Sequence, residues 1–478
     1  MKQKHLLLIV LTGLILFFYG LGSRDFWGTT EARVGEIVRE MLEKNDWVIP
    51  HLNGQPRLTK PPLYFWSTAL LAGLLNDSQV NELIARIPSA FCAVWVLVIT
   101  YLIAQKIYNS KTGLISVFIL ATNILFFWWA RQAAIDMMMV MFSSASVLFF
   151  AYGLYSQGKK KDVCYLLMHA NFGLGMLTKG PVAVIVPVLG MITYLILEKR
   201  MAELKRMCWG KGLIIFILIL LPWGFMVIKR YPAALTIFYN ETFNRYTDAF
   251  DHNRPFYYYF VSAPLYLLPW ALALPFIIRR MIKYKEWNLY NFPVSFFVPA
   301  FIFLSISGSK RSYYLLPLFP FVVMAIGYYL SSLKISDFKS AKIRKILELF
   351  LIRKYRIISI FIIFVCFIGL ISYFKVSNRK YSAVDLCGKI SGIVPEEAVF
   401  MTYKYSRPYI VYYLKKQVPS IESEEELNLR LTELPCLYVL LQKKDFLRMN
   451  SVNAEVILEY PDFTKSNNDM VLITRAKR

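Results

Sequence analysis

Acidic side chains are scarce in this sequence. Its 478 residues hold 31 Asp and Glu against 55 Lys and Arg, a formal net charge of +24. Such an excess is one mark of nucleic-acid binding. The basic residues, however, fall in short clusters between apolar runs and not along one soluble face, so no nucleic acid is expected as a partner. Histidine is scarcer still, four in all, and His51 and His252 are too few and too scattered to hold a metal without carboxylate help. No glycine-rich nucleotide-phosphate loop occurs, which removes the usual cradle of a nucleotide donor. No small-residue cleavage site follows the apolar run ending at Tyr19, so the N-terminal segment reads as an uncleaved span that starts in the cytoplasm. There is no fixed-period repeat.

What abounds is apolar surface. At 57% hydrophobic and 16% aromatic residues the composition is that of a polytopic membrane protein with a smaller soluble part. Residues 63–75 are apolar but make roughly 20 Å of helix, too short for ~30 Å of hydrocarbon, so they are expected along the interface. The alternation then runs through residues 83–103, 113–129, 137–155, 163–177, 182–197, 213–228, 257–278, 292–306 and 313–330. A basic linker at 334–356 leads to a last span at 357–374. With the first span this gives about eleven crossings and an outward C-terminus, because clusters such as Lys159-Lys160-Lys161 and Lys199-Arg200 mark the cytoplasmic side. From Lys375 the pattern becomes that of a soluble α/β domain: strands at 398–403, 435–441, 454–460 and 470–474, helices at 383–393, 407–415 and 424–433. The expected division is therefore a membrane domain at 1–374, with a first outer loop at 23–83, and an extracytoplasmic domain at 375–478.

That first outer loop is charged, aromatic and proline-rich, which is costly beside a bilayer unless it has a task. It contains Glu31-Ala32-Arg33, the stretch Glu36 to Leu42, Asp46-Trp47-Val48-Ile49-Pro50, Leu52-Asn53-Gly54 and Lys60-Pro61-Pro62-Leu63. Together these motifs resemble the first outer loop of the GT-C glycosyltransferases, in the branch of the lipid A aminoarabinose transferases and protein O-mannosyltransferase-like enzymes. The resemblance extends from Phe17 to about Pro320 and hardly informs the C-terminal domain. It implies an all-α polytopic enzyme that moves a sugar from a polyprenyl-phosphate donor to a lipid A, glycan or protein acceptor on the periplasmic face of the inner membrane.

Such a transfer needs cations for the phosphate and a carboxylate near the reacting carbon or the acceptor. The carboxylates expected outside are Glu31, Asp25 and Asp136. Glu31 matches the glutamate of the family's acidic pair, but Thr30 replaces the aspartate before it, and Thr59 stands where many relatives have a glutamate before Lys-Pro-Pro. Two acids that serve base or metal roles in relatives are thus missing, so no cofactor is certain and a divalent metal is doubtful. Lys60, Lys179 in Thr-Lys-Gly-Pro, and Lys310-Arg311 in Ser-Lys-Arg-Ser-Tyr-Tyr are expected on one face as a phosphate clamp, joined by Arg33 and Arg245. Tyr313, Tyr257 and His252 are expected to line the substrate. Binding of these groups to lipid headgroups or placement of the tyrosines in an aromatic belt is the plainer alternative. A transporter or flippase of lipid-linked sugars is the rival function, and it predicts ionisable groups on broken helices at the midplane. Of six cysteines, Cys387 and Cys436 alone fall in the outer domain; a bridge between them and two free thiols are both open.

Overall fold

The computed structural model describes residues 2–26, 28–247, 252–333, 369, 382–404, 407–434, 436–449, 452–461 and 469–475. The expected basic linker, Cys366 and all but one residue of the expected last span lie outside them. Among the described residues the N-terminal helices are α1 (Lys2–Phe18), α2 (Gly28–Lys44), α3 (Leu63–Leu74), α4 (Glu82–Ile107), α5 (Ser110–Ala121), α6 (Ile124–Ala130), α7 (Ile135–Leu154) and α8 (Gly158–Lys179). They continue as α9 (Val182–Leu197), α10 (Trp209–Arg230), α11 (Ala234–Tyr239), α12 (Arg245–Thr247), α13 (Tyr258–Tyr266), α14 (Leu274–Lys283), α15 (Trp287–Ile306) and α16 (Phe319–Ser332). A two-stranded hairpin, β1 (His51–Leu52) and β2 (Gln55–Pro56), lies between α2 and α3.

The chain divides into two compact units: Met1–Tyr19, Leu58–Ser67 and Arg86–Ile368 form the first, and Gly20–Arg57, Thr68–Ala85 and Gly369–Arg478 the second. In the first, α4, α7, α10, α15 and the stretch Ser312–Ser332 are long and apolar enough to cross a bilayer, and two bent pairs raise the number from five to seven among the described residues. This is an integral membrane protein. Its outward surface agrees: on α10, Leu218 and Phe225 are 63% and 62% exposed, a surface suited to hydrocarbon and not to water. Inside, Phe150 of α7, Tyr194 of α9, Phe292 and Phe296 of α15 and Phe321 of α16 share one core. Phe296 stacks on Phe321 with ring centroids 4.8 Å apart.

Two single spans expected from the sequence, 113–129 and 257–278, are broken instead. The chain bends by 71° between α5 and α6 and by 107° between α13 and Trp270–Lys283. Local chemistry accounts for both. The Asn123 side chain accepts from the Phe126 amide at 2.9 Å and so caps α6, while Thr122 Oγ1 donates back to the Phe118 carbonyl at 2.7 Å. Pro269 at the second break has no N–H to continue a helix. The breaks hold each other: Asn123 Nδ2 donates to the Tyr266 carbonyl at 2.7 Å, and Trp270 Nε1 to Thr122 Oγ1 at 3.2 Å.

The second unit contains a five-stranded mixed sheet. Its elements are α17 (Ala383–Ile393), β3 (Val399–Tyr403), α18 (Pro408–Leu414), β4 (Ser420–Ile421), α19 (Glu424–Glu433), β5 (Leu437–Gln442), α20 (Lys443–Phe446), β6 (Ala454–Tyr460) and β7 (Met470–Arg475). Strand order is β4-β3-β5-β7-β6, with β3 parallel to β4 and β5 and the remaining pairs antiparallel. Alternation puts Leu437, Val439, Leu441, Val471 and Ile473 on one face, under Leu427 and Leu431 of α19. Ser382 and Ser423 cap their helices by accepting from the amides of Asp385 and Glu426.

The loop after α2 joins this unit through an Asn-Gly turn. Asn53 (φ +56°) and Gly54 (φ +77°) take the left-handed conformation that a two-residue hairpin requires. Asn53 also mimics a strand, donating to the Val418 carbonyl and accepting from the Val418 amide, both at 2.8 Å. The Gly54 amide meets the Glu40 carboxylate at 3.1 Å, and a Cβ there would lie 2.6 Å from Gln417. Asn53→Ala removes both bonds and strands the Val418 amide and carbonyl. The expected cost is about 2 kcal/mol of stability in this unit, read as a lower Tm, whereas an unchanged Tm would make the contact incidental.

Cys387 and Cys436 are free thiols, the first buried on α17 and the second exposed ahead of β5. Burial pushes the Cys387 thiol up to about 12. Of these two, only Cys436 is expected to react with a maleimide in the folded protein, with the same yield after reductant, as read by peptide mass mapping.

Candidate active site

In the second unit the candidate residues sit at and before the start of α2. Glu31 lies in the first turn, where the amide dipoles favour a carboxylate, and it is fully buried. Arg24 meets it at 3.1 Å. Asp25 and Arg33 are half-buried on either side. Further along the helix is a network to which the sequence assigned no role: Arg39 binds Glu36 through two bonds of 2.9 and 2.6 Å and also reaches Glu43, while Lys44 pairs with Glu40 at 2.9 Å. Burial is the largest influence on Glu36 and raises its carboxyl above the usual range in spite of Arg39. The i, i+3 and i, i+4 spacing of these charges was the available signal, but it reads equally as a solvated face.

In the first unit the structure gathers several expected cations. Lys60 Nζ and Arg245 both hold the Glu241 carboxylate, at 3.0 and 2.9 Å. Desolvation holds the Lys60 ammonium below the usual lysine value against the attraction of Glu241, and the charges of Arg245 and Lys179 act in the same downward sense. Burial favours the neutral form of Glu241, but Lys60 and Arg245 outweigh it and keep the carboxyl below the usual glutamate range. Lys179, at the C-terminal end of α8, pairs with Asp136 in the first turn of α7. The Lys179 ammonium also lies 5.4 Å from the ring centre of Tyr313 and 4.7 Å from that of Tyr314, within cation–π reach. Arg311 donates to the Tyr313 hydroxyl at 3.0 Å, and the backbone of Arg311 exchanges two bonds with the Tyr259 hydroxyl, at 2.9 and 3.1 Å. Glu241 is not among the residues the sequence singles out, because its partner Lys60 is 181 residues away along the chain.

Four expected residues are placed differently from a simple clamp. Lys310 is 4% exposed, and its ammonium donates to the carbonyls of Ser307 and, at 2.9 Å, Arg254. Burial lowers its pKa. It ties down the loop that carries Arg311. Asp136 is engaged with Lys179 and so orients a cation. His252 is exposed, in the left-handed region at φ +52°, and its carbonyl accepts from the Lys310 amide at 3.1 Å. Tyr257 is 54% exposed. Among the described residues no three His, Cys, Asp or Glu side chains gather as a metal set.

In the second unit a buried carboxylate thus stands in the first turn of α2; in the first, Lys60 and Arg245 share Glu241, and Lys179 pairs with Asp136. Residues 59–225 match the profile of the dolichyl-phosphate-mannose-protein mannosyltransferase family. A protein of Aquifex aeolicus known only as uncharacterized is 30% identical over 342 residues, 71% of this chain and 66% of its own length. The undecaprenyl phosphate-alpha-4-amino-4-deoxy-L-arabinose arabinosyl transferase of Photorhabdus laumondii is 27% identical over 351 residues, 72% of this chain and 63% of its length. The chain thus spans less than two thirds of the length of these relatives. The crystal structure of ArnT from Cupriavidus metallidurans bound to undecaprenyl phosphate superposes with a TM-score of 0.79 at 18% identity, over 98% of this chain and 97% of that one. The archaeal oligosaccharyltransferase AglB of Archaeoglobus fulgidus gives 0.56 at 10% identity, over 92% and 69%. The fold is shared with these two solved structures. In sequence the chain is similar to the dolichyl-phosphate-mannose-protein mannosyltransferase family over residues 59–225 and to the undecaprenyl-phosphate arabinosyl transferases over a longer stretch.

Proposed function

We propose that this protein transfers a sugar from a polyprenyl-phosphate donor to a lipid A, glycan or protein acceptor at the periplasmic face of the inner membrane. The carrying observation is that Lys60 and Arg245 share the Glu241 carboxylate while Lys179 pairs with Asp136 beside the rings of Tyr313 and Tyr314. A lipid phosphate would replace Glu241 on two of these cations, and Arg311 with Tyr313 would complete the contact. In the transfer the acceptor hydroxyl oxygen bonds to the anomeric carbon as the carbon–oxygen bond to phosphate breaks. The bonding pair leaves with the phosphate, and the hydroxyl proton passes to a carboxylate. Glu31 is assigned that role, with Asp25 next to it in the turn, and Arg33, Tyr257 and His252 are assigned to the substrate's surroundings. The reading includes about eleven spans, a cytoplasmic N-terminus, a membrane domain at 1–374 with its outer loop at 23–83, and a periplasmic domain at 375–478.

The transport alternative expects charged groups where helices break. Here the breaks carry the uncharged Thr122-Asn123 and Leu267-Leu268-Pro269, and Tyr266 and Trp270, on either side of the second, bond to Asn123 and Thr122 of the first. The test is an assay of the purified protein in nanodiscs with radiolabelled polyprenyl-phosphate sugars against lipid A, glycan and protein fractions. Label in an acceptor supports transfer; no labelled acceptor in nanodiscs, together with donor that only changes sides when the protein is reconstituted in sealed proteoliposomes, overturns it.

A further inference from the structure

The C-terminal domain reaches the turn that carries Glu31. Helix α18 presents two consecutive tyrosines, and the hydroxyl of each is spent on the first outer loop. Tyr413 Oη accepts from the Phe26 amide at 2.9 Å and donates to Glu82 at 2.6 Å. Tyr412 Oη lies on the carbonyls of Gln79 and Val80, at 3.2 and 3.1 Å. The Phe26 ring, 1% exposed, packs edge-on against Tyr412 with centroids 4.9 Å apart and tilts against Tyr413 at 6.3 Å. Helix α2 is pressed onto the same pair: a Cβ on Gly35 would lie 2.6 Å from the Phe26 ring and 3.1 Å from that of Tyr412.

These contacts fall between Arg24 and Glu31. Phe26 stands two residues after Arg24, and Gly28, in the left-handed region at φ +69°, turns the chain into α2. The position of Arg24 therefore depends on the Phe26 peptide. That peptide is held from one side by a hydroxyl of another element, and the hydroxyl is oriented because it donates a hydrogen bond to Glu82. A turn with a fixed amide keeps Arg24 3.1 Å from Glu31; a turn released from Tyr413 samples other positions, and the Arg24 contact with the carboxylate loosens.

We propose that Tyr413 is a positioning residue for the transfer, holding the Arg24–Glu31 pair through the Phe26 amide, so that the C-terminal domain is part of the catalytic unit. This rests on the assignment of Glu31 as the catalytic carboxylate. Tyr412 fills space beside it but does not touch the turn's amide.

The test uses the full-length protein in nanodiscs. Tyr413→Phe keeps the ring and removes the hydroxyl; kcat is expected to fall about tenfold, with KM for donor and acceptor within about twofold and Tm nearly unchanged. Arg24→Ala is expected to cost more, and adding Tyr413→Phe to it to cost less than about a further twofold, since both act through one contact. Tyr412→Phe removes the neighbouring, hydrogen-bonded hydroxyl and is expected to leave kcat within about twofold. Wild-type turnover in Tyr413→Phe, effects that multiply with Arg24→Ala, or an equal loss in Tyr412→Phe would each overturn the proposal. If Tyr413→Phe does not fold, Glu82→Gln tests the same chain of contacts: kcat lowered about threefold at constant KM supports it, and unchanged kcat overturns it. Activity in Glu31→Gln would instead defeat the assignment beneath the proposal, which separates the two failures.

Discussion

Glu31→Gln is expected to lower kcat by about a thousandfold while the protein still folds, because a charge aimed at a developing transition state is worth far more there than in packing. The substitution keeps volume and leaves an amide oxygen for Arg24, 3.1 Å away, so the fully buried position gains no cavity. Stability falls modestly, since the Arg24 guanidinium loses a charged partner but not its hydrogen bond. The measurement is single-turnover transfer beside a thermal melt. Donor KM is expected to hold within about threefold, because the proposed phosphate contacts belong to other residues. Near-normal turnover would move the role to Asp25 in the same turn. Asp136→Asn serves as the contrast: its carboxylate is engaged with Lys179, so its loss is expected to appear in donor KM.

The parts of this molecule that are legible in the sequence are those set by local periodicity. The strands near 399–403, 437–442, 454–460 and 470–475 stand close to their expected places because alternation and flanking turn residues define them. Strand β4, two residues long and parallel to β3, leaves no such pattern. The break at Thr122-Asn123 carried a signal, an Asn at a capping position inside an apolar run, which hydropathy averaging conceals. The polar face of α2 misleads for a different reason. Glu36, Arg39 and Glu40 have the spacing of a solvent-facing helix but are buried at 0, 7 and 3% exposure, since the hairpin that follows and α18, from a distant part of the chain, pack on α2. In the candidate site the sequence names Lys60, Lys179, Arg245 and Arg311 from motifs, but their counterions are tertiary facts. The same holds for Lys310, where a motif lysine beside Arg311 proves to be a buried tie on backbone carbonyls.

Opposite responses are expected from the two sides of the Lys60–Glu241 contact. Without a donor, Glu241 neutralises both Lys60 and Arg245. A polyprenyl phosphate must compete with that carboxylate, which stays ionised to low pH because the two cations hold its pKa down. Lys60→Ala removes a charge-assisted bond to phosphate and is expected to weaken binding of a polyprenyl-phosphate analogue by about tenfold to a hundredfold, as roughly 1.5–3 kcal/mol implies. Glu241→Gln removes the competitor and is expected to tighten the same Kd by about threefold to tenfold, since Gln still accepts a bond but no longer repels the phosphate. Lys310→Ala is expected to lower Tm and to leave Kd within about twofold, because its ammonium is spent inside the protein. Titration of a fluorescent analogue into nanodiscs at two salt concentrations measures all three variants, and salt is expected to shrink the Lys60 and Glu241 effects together. If Glu241→Gln weakens binding as Lys60→Ala does, the carboxylate belongs to the bound state as a scaffold for the cations, and the exchange of Glu241 for phosphate is wrong.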